Sequence, residues 1–462
     1  MNRLTVFQDT VKLLERHFLT SGLIEEGTFC LLRQGKGALG TRFLATEMIL
    51  PQPDSWERQG RAILRPSAKW ISASISRAIQ DHAGLIFIHS HPNAEFPQGL
   101  SPSDLSAFNS LAHTLAPMLD GPFAAGVVHP NGWSGVSWAE GNIVPFGKIT
   151  SIGKKLCFLS SIKEAGDSNL DSRQRDALGF VHDQVRHLDV AVVGCGGLGS
   201  AVAEQVVRMG ANSLLLIDHD RLDTNSNLRR MIGSTMVDLK ATVAPPKVDV
   251  VGRHLDQLGF GLEIRRVNGD VRTEEVFRAL LDVDVVLNCT DTHGSRAVVN
   301  DLASTYLLPV IDVGVRVSSR YDNRLAGLIA ETRVLTPTTP CLWCRKTIDS
   351  NVIRLENLPP EEREQLKKEG YVAAGFGDPT PSVISLTVLG SGLATCALLR
   401  LLSEEGEVAP FGYWFDGLFG DSGETKPHTP NSDCWCRKHF GLGDCAPPPF
   451  VSFIPQASQE DR

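Results

Sequence analysis

Val190-Ala-Val-Val-Gly194-Cys-Gly196-Gly197-Leu-Gly199-Ser200 decides the fold of the larger part of this 462-residue chain. A short β-type apolar run enters a glycine-rich turn, and a helical stretch follows. Such a turn at a helix amino terminus lets the backbone approach a phosphate, and the helix dipole favours negative charge there. The run SLLLID ends on Asp218, 19 residues past Gly199, where a carboxylate can hold ribose hydroxyls. These features alone suit NAD, FAD or ATP equally.

The same rhythm extends outward. DVAVVG, SLLLID, LEIRRV, DVVLNC and LPVIDVG are short β-rich runs separated by helical segments, which predicts an open α/β sheet from about residue 171. Three further clusters bear on the ligand. Asn227-Leu-Arg-Arg230 follows the second strand, Pro246-Lys247-Val begins a helix, and Asn288-Cys-Thr-Asp291 closes a later strand. A redox enzyme has no need for asparagine, arginine, lysine and aspartate converging on its nucleotide. Adenylation does, because the pyrophosphate leaving group accumulates charge that cations and Mg²⁺ neutralise.

This set resembles the ubiquitin-activating enzymes and their ThiF and MoeB relatives in thiamin and molybdopterin biosynthesis. The resemblance implies a Rossmann-like adenylyltransferase over 171–445. Within it Gly194, Gly196 and Gly199 form the ATP loop, Asp218 binds ribose, and Asn227, Arg230 and Lys247 hold the phosphates. Asp291 would organise magnesium and the transition state. Arg173, in Ser172-Arg-Gln, would reach the γ-phosphate of a neighbouring subunit, which implies a homodimer. Two spacings depart from the family, so Asn225 competes with Asn227 and Lys240 with Lys247.

The first part of the chain, 1–150, carries different chemistry. Short apolar strands are expected at Phe29–Leu32, Phe43–Leu50, Leu85–Ile88 and Ala124–Val128, with helices near 67–81 and 103–115. His89-Ser-His91-Pro92 follows the apolar run LIFI, and Ser101-Pro-Ser-Asp104 begins ten residues after His91. Histidines two apart on a strand point the same way, and an aspartate opening the next helix can complete a three-ligand zinc site with an open position. These residues resemble the JAMM (JAB1/MPN/Mov34) metalloproteases, which have a cytidine-deaminase-like α/β fold. The resemblance implies zinc on His89, His91 and Asp104, and Ser101 stabilising the tetrahedral intermediate. It also calls for an upstream glutamate as general base, for which Glu26 fits best, with Glu25 and Glu47 as alternatives. The loop between His91 and Ser101 is about two residues longer than in the eukaryotic deubiquitinases of this family.

The ThiF-type relatives bind a structural zinc with two CxxC pairs, so the resemblance implies a Cys₄ site on Cys341-Leu-Trp-Cys344 and Cys434-Trp-Cys436, although the second pair here is CxC and Cys445 is a spare ligand. Activating enzymes that form thioesters carry a cysteine after the first pair, but none lies between Cys344 and the helix near 381. Cys396 falls inside that apolar helix and is expected in the core. Ser160–Leu170 reads as part of a linker over 151–170, and 446–462, rich in proline and polar residues, as a disordered tail.

Composition sets the outer limits. Apolar residues make up 42% and charged residues 21%, and 45 basic against 53 acidic residues give a net charge of −8. Neither nucleic acid nor membrane is expected as a partner. The amino terminus lacks a signal-peptide core, Val383–Leu402 reads as a buried helix, and ten cysteines without an export signal suggest the cytoplasm. The combined expectation is a bifunctional enzyme of a prokaryotic ubiquitin-like system. It would adenylate a partner ending in Gly-Gly, process or deconjugate that partner, and possess a conjugating enzyme as a further partner. The same chemistries would also serve sulfur-carrier activation in cofactor, cysteine or peptide-natural-product biosynthesis. An NAD-dependent dehydrogenase and a binding scaffold with dead sites are more distant readings.

Overall fold

In the computed structural model, residues 1–19, 22–92, 99–130, 132–160, 169–222, 225–319, 324–373, 376–377, 381–403, 412–424 and 431–447 are described. The chain forms two compact units. One comprises Met1–Glu164, Ser304–Leu307 and His439–Pro447, and the other the remainder. Residues 161–168 of the expected linker and the tail beyond Pro447 lie outside the described residues, while 151–152 and 156–158 of that linker are strand residues of the first unit's sheet.

Among the described residues, nine strands make the first unit's sheet. Their order is Leu156–Phe158, Lys148–Ile152, Arg3–Phe7, Thr41–Ile49, Gly27–Lys36, Gly84–Ser90, Phe123–His129, Gly132–Ala139 and Asn142–Pro145. The Gly27–Leu32 part of strand Gly27–Lys36 is buried on both faces, which explains the unbroken apolar run Phe29–Leu32. Phe29 and Leu31 meet Trp70 and Phe108, from helices Ala68–Gln80 and Pro102–Leu115. Cys30 and Leu32 share the other core with Val11, Leu14 and Phe18 of helix Gln8–Leu19. Strand Lys148–Ile152 pairs with Arg3–Phe7, so this sheet crosses the boundary expected at residue 150.

The second unit's sheet runs Glu263–Asn268, Ser213–Asp218, Asp189–Val193, Val285–Asn288, Val310–Ser319, Leu325–Leu335, Gly412–Asp416 and Ser422–Glu424. The first five pair in parallel and the last three antiparallel. Strand order reverses on either side of Asp189–Val193, which opens a crevice at the carboxyl ends of that strand and Val285–Asn288. Helix Gly197–Arg208 starts there.

Ile384–Leu402 is long and apolar enough to cross a membrane by length and composition. It packs within this unit instead. Its Ser391 hydroxyl accepts from Gln205 at 2.6 Å, and the Thr395 hydroxyl donates to the same side chain at 2.8 Å. A Cβ on Gly390 would stand 2.9 Å from Val315, so glycine permits this close approach. Cys396, expected in the core, is exposed on the helix's outer side. A helix apolar all round does not reveal from composition which face is covered.

Candidate functional site

The pocket of the second unit forms at the strand-order switch. Gly194 lies at φ +89°, and a Cβ on Gly199 would strike the Gly194 carbonyl, coming 2.8 Å from its carbon. Nothing stands within 4 Å of a Cβ on Gly196, which faces open space. The Asp218 carboxylate fixes the turn by accepting from the Cys195 amide at 2.6 Å, while its other oxygen accepts from the Asp220 amide at 2.8 Å. Burial raises the Asp218 carboxyl above the usual carboxylate range, against the opposing charge of Lys247.

Asp218, Arg230, Lys247, Asp291 and Arg296 line this pocket together with Gly194 and Gly196. Lys247 pairs with Asp220 at 2.6 Å. Burial opposes ionisation of Asp220, yet the bond from Lys247 holds its carboxyl below the usual range. Asn227 accepts from Arg230 at 2.9 Å and so positions it. The side chain of Asn225 lies outside the described residues, and Lys240 does not line the pocket. Asp291 is exposed to the pocket, whereas Asn288 is fully buried and donates to Asp312 at 2.9 Å. Arg173, in helix Ser172–Leu178, is exposed and outside the pocket.

Sequence reasoning missed Arg296 and Asp312. Asp312 is completely buried on strand Val310–Ser319 and accepts from Arg333 at 3.0 Å, while Arg296 Nε stands 3.3 Å from its other oxygen. A buried aspartate in the run LPVIDVG was the available signal, because an unpaired carboxylate is seldom tolerated there.

The four cysteines Cys341, Cys344, Cys434 and Cys436 come together. Their Sγ atoms stand 3.6 Å (341–344), 3.5 Å (341–434) and 3.9 Å (344–436) apart. Thiolates about 2.3 Å from a tetrahedral zinc stand about 3.8 Å apart, so this set fits the ion. Cys445 does not serve as a spare ligand: its Sγ contacts the His82 carbonyl of the first unit at 3.7 Å.

In the first unit, His89, His91 and Asp104 also converge. The two Nε2 atoms are 3.1 Å apart, and they lie 3.6 and 3.5 Å from Asp104 Oδ2. Ligand nitrogens 2.0–2.1 Å from a tetrahedral zinc stand about 3.3 Å apart, so this donor set fits too. Ser101 caps helix Pro102–Leu115, closing a capping box with Asp104, and its hydroxyl donates to Asp104 Oδ2 at 2.7 Å. Burial works against the Asp104 charge, but bonds from His89, His91 and Ser101 hold the carboxyl far below its usual range.

Strand register distinguishes the three candidate glutamates. Gly27 pairs with His89 across antiparallel strands, which sets Glu25 opposite His91 and Glu26 opposite Ser90. Directly opposed residues share a face. Glu26 accordingly bonds Ser90 through its backbone, and its carboxylate lies 3.6 Å from His17. Glu25 instead feels the charges of His91, His89 and Asp104, and burial raises its carboxyl above the usual range. Glu47 is paired with Arg77 at 2.7 Å.

The sequence profile of the ThiF family matches residues 171–436. Ubiquitin-like modifier-activating enzyme 5 of Drosophila virilis is 26% identical over 314 residues, covering 64% of this chain and 72% of that protein. The enzyme of the same name from Aedes aegypti is 26% identical over 309 residues, 63% of this chain and 70% of its own. Among solved structures, E. coli MccB in complex with N-formylated MccA is similar. It is 17% identical with a TM-score of 0.46, covering 58% of this chain and 75% of that one.

Proposed function

The chain belongs to the ThiF family, and on that premise we propose that it is an ATP-dependent adenylyltransferase activating the carboxyl terminus of a ubiquitin-like protein. The observation supporting this most is the convergence of the glycine turn, Asp218, Arg230, Lys247 and Asp291 on one pocket. The names of the enzyme 5 relatives point to the same substrate class. A substrate carboxylate oxygen attacks the α-phosphorus, the bond to the bridging oxygen of the β-phosphate breaks, and pyrophosphate leaves. Asp218 takes the ribose hydroxyls. Arg230 and Lys247 meet the growing negative charge on the leaving group, where fixed cations act without reorganisation. Asp291 would hold magnesium, which when bound shields the phosphates. Arg173, absent from its own pocket, is left to act in a second subunit of a homodimer.

Partner-dependent exchange of label between pyrophosphate and ATP tests this reading, because adenylation is reversible while the acyl-adenylate stays bound. A small protein ending in Gly-Gly should support exchange, and its carboxamide form should not. Exchange with neither, in protein that binds ATP, would overturn the assignment. The same chemistry would serve a sulfur carrier, and the identity of the protein that supports exchange separates the two routes.

A second activity is favoured by the His89, His91 and Asp104 spacing. It is a JAMM-type zinc peptidase that trims the same partner or releases it from conjugates. When bound, zinc would acidify water and polarise the scissile carbonyl. Glu25, on the ligand face, acts as the general base and then protonates the leaving amine, and Ser101 steadies the oxyanion.

A further inference from the structure

Three cationic side chains line the pocket, Arg230, Lys247 and Arg296, and the adenylation reading assigns a role to the first two only. Arg230 and Lys247 stand with the glycine turn and Asp218. Arg296 lines the pocket beside Asp291, Val313 and Gly314, and its side chain is 15% exposed. Its fixation is unusual for a pocket arginine. Nε faces the fully buried Asp312, which Arg333 and Asn288 also hold. A Cβ on Gly314 would come 3.1 Å from Nη2, so the absence of a side chain there leaves room for the guanidinium.

Among the described residues, Arg296 shows no hydrogen bond from its two terminal amino groups. An arginine held by charge beside the buried Asp312, its Nε 3.3 Å from Oδ1 without a formed hydrogen bond, and open at Nη1 and Nη2 suits bidentate capture of a carboxylate.

A second element contributes at the same pocket. Pro381, Ser382 and Thr387 line it, and helix Ile384–Leu402 begins there without a side-chain cap. A helix of this length carries partial positive charge at its amino end, with unpaired N–H groups. The helix is held there through Gly390 against Val315, which itself lines the pocket. ATP phosphates already have the turn, Arg230 and Lys247. The remaining anion that the reaction requires is the nucleophile itself.

We propose that Arg296, anchored by Asp312, receives the terminal carboxylate of the protein substrate, with the amino end of helix Ile384–Leu402 beside it. This deepens the adenylation reading and rests on it. Anchoring matters because a free arginine would pair with the triphosphate. Capture through Nη1 and Nη2 takes one lone pair on each carboxylate oxygen and leaves a second, outward-facing pair available for attack on phosphorus. Recognition is then of the carboxylate group rather than of any side chain near the terminus. A partner with an amidated or extended terminus is refused in this pocket.

The experiment uses the full chain loaded with magnesium and a non-hydrolysable ATP analogue. The probes are a short synthetic peptide ending in a Gly-Gly carboxylate and its carboxamide twin, with binding followed by ligand-observed NMR. Native protein should prefer the carboxylate at least tenfold. Arg296→Gln should abolish that preference while keeping the melting shift given by the ATP analogue, and Arg296→Lys should restore part of it. A preference surviving in Arg296→Gln, or absent from native protein that binds nucleotide, overturns the inference. Failure of native protein to bind ATP at all instead sinks the adenylation reading. The nucleotide-induced melting shift in each variant shows that the pocket is folded.

Discussion

Gly196→Ala and Gly199→Ala should separate two demands that a glycine turn can serve. In the unliganded protein a Cβ on Gly196 meets nothing within 4 Å, and its φ of −72° and ψ of −156° suit any residue. Gly196→Ala should therefore cost no more than about 1 kcal/mol, the order of the difference between glycine and alanine at a helix N-cap. The added methyl projects into the space a phosphate must enter, however. A loss of tenfold or more in nucleotide affinity is expected, about 1.4 kcal/mol. Gly199→Ala behaves in the opposite order. Its Cβ would overlap the Gly194 carbonyl and stand 3.4 Å from Cys289 Cβ, so the turn itself must move. Overpacking of this kind costs about 1–3 kcal/mol without any ligand. That amounts to a fall of roughly 2–12 °C in the melting temperature of a unit this size, at about 2–4 °C per kcal/mol. Differential scanning calorimetry without nucleotide, repeated across an ATP·Mg²⁺ titration, reads both quantities. Native-like nucleotide affinity in Gly196→Ala would refute the idea that phosphate approaches this backbone.

Three further outcomes follow from the sites. Glu25→Gln should abolish isopeptide cleavage with zinc content unchanged, whereas Glu26→Gln should cleave at near the native rate; the reverse pattern would return the base to Glu26. Metal analysis should find two zinc ions per chain, falling to one in Cys434→Ser and remaining two in Cys445→Ser, since only Cys434 stands in the tetrahedral set. Asp291→Ala and Arg173→Ala should each eliminate pyrophosphate exchange, but mixed subunits should regain a part, because one site of the mixed dimer keeps both residues. Absence of complementation in subunits shown to exchange would place Arg173 outside the neighbouring site.

What could be read from the sequence was what depends on neighbours along the chain. The glycine turn, the β-rich runs that bracket it, and the histidine pair at a strand end are local patterns with local causes. Glu26 and its alternative Glu25 could not be separated, because choosing between adjacent glutamates requires strand parity, and parity depends on how Gly27–Lys36 is offset against Gly84–Ser90. No residue in either segment announces that offset by itself. Arg296 and Asp312 escaped for a related reason: they stand 16 positions apart, and only the parallel pairing of Val285–Asn288 with Val310–Ser319 makes them neighbours. The exposure of Cys396 depended on which side of an apolar helix finds a partner, and Arg3–Phe7 on a sheet whose other strands come much later.

The return of His439–Pro447 to the first unit bears on how the chain is synthesised. Asp444 accepts from the Lys36 amide at 2.8 Å and the Tyr306 hydroxyl at 3.1 Å, and Phe440 packs edge-on against Phe7 at 4.9 Å. Gly443, at φ +55°, comes so close to the Gln34 carbonyl that a Cβ would stand 2.8 Å from its carbon. Residues 1–160 leave the ribosome well before residues 439–447, and they wait for these contacts until that later segment has been made. At about 5–20 residues per second that wait is roughly 15–60 s. During it the Gln34–Lys36 stretch lacks its cover, so a nascent chain stalled in the adenylyltransferase region exposes a surface for chaperones to hold. A gene fragment ending near residue 160 would encode the same uncovered state permanently.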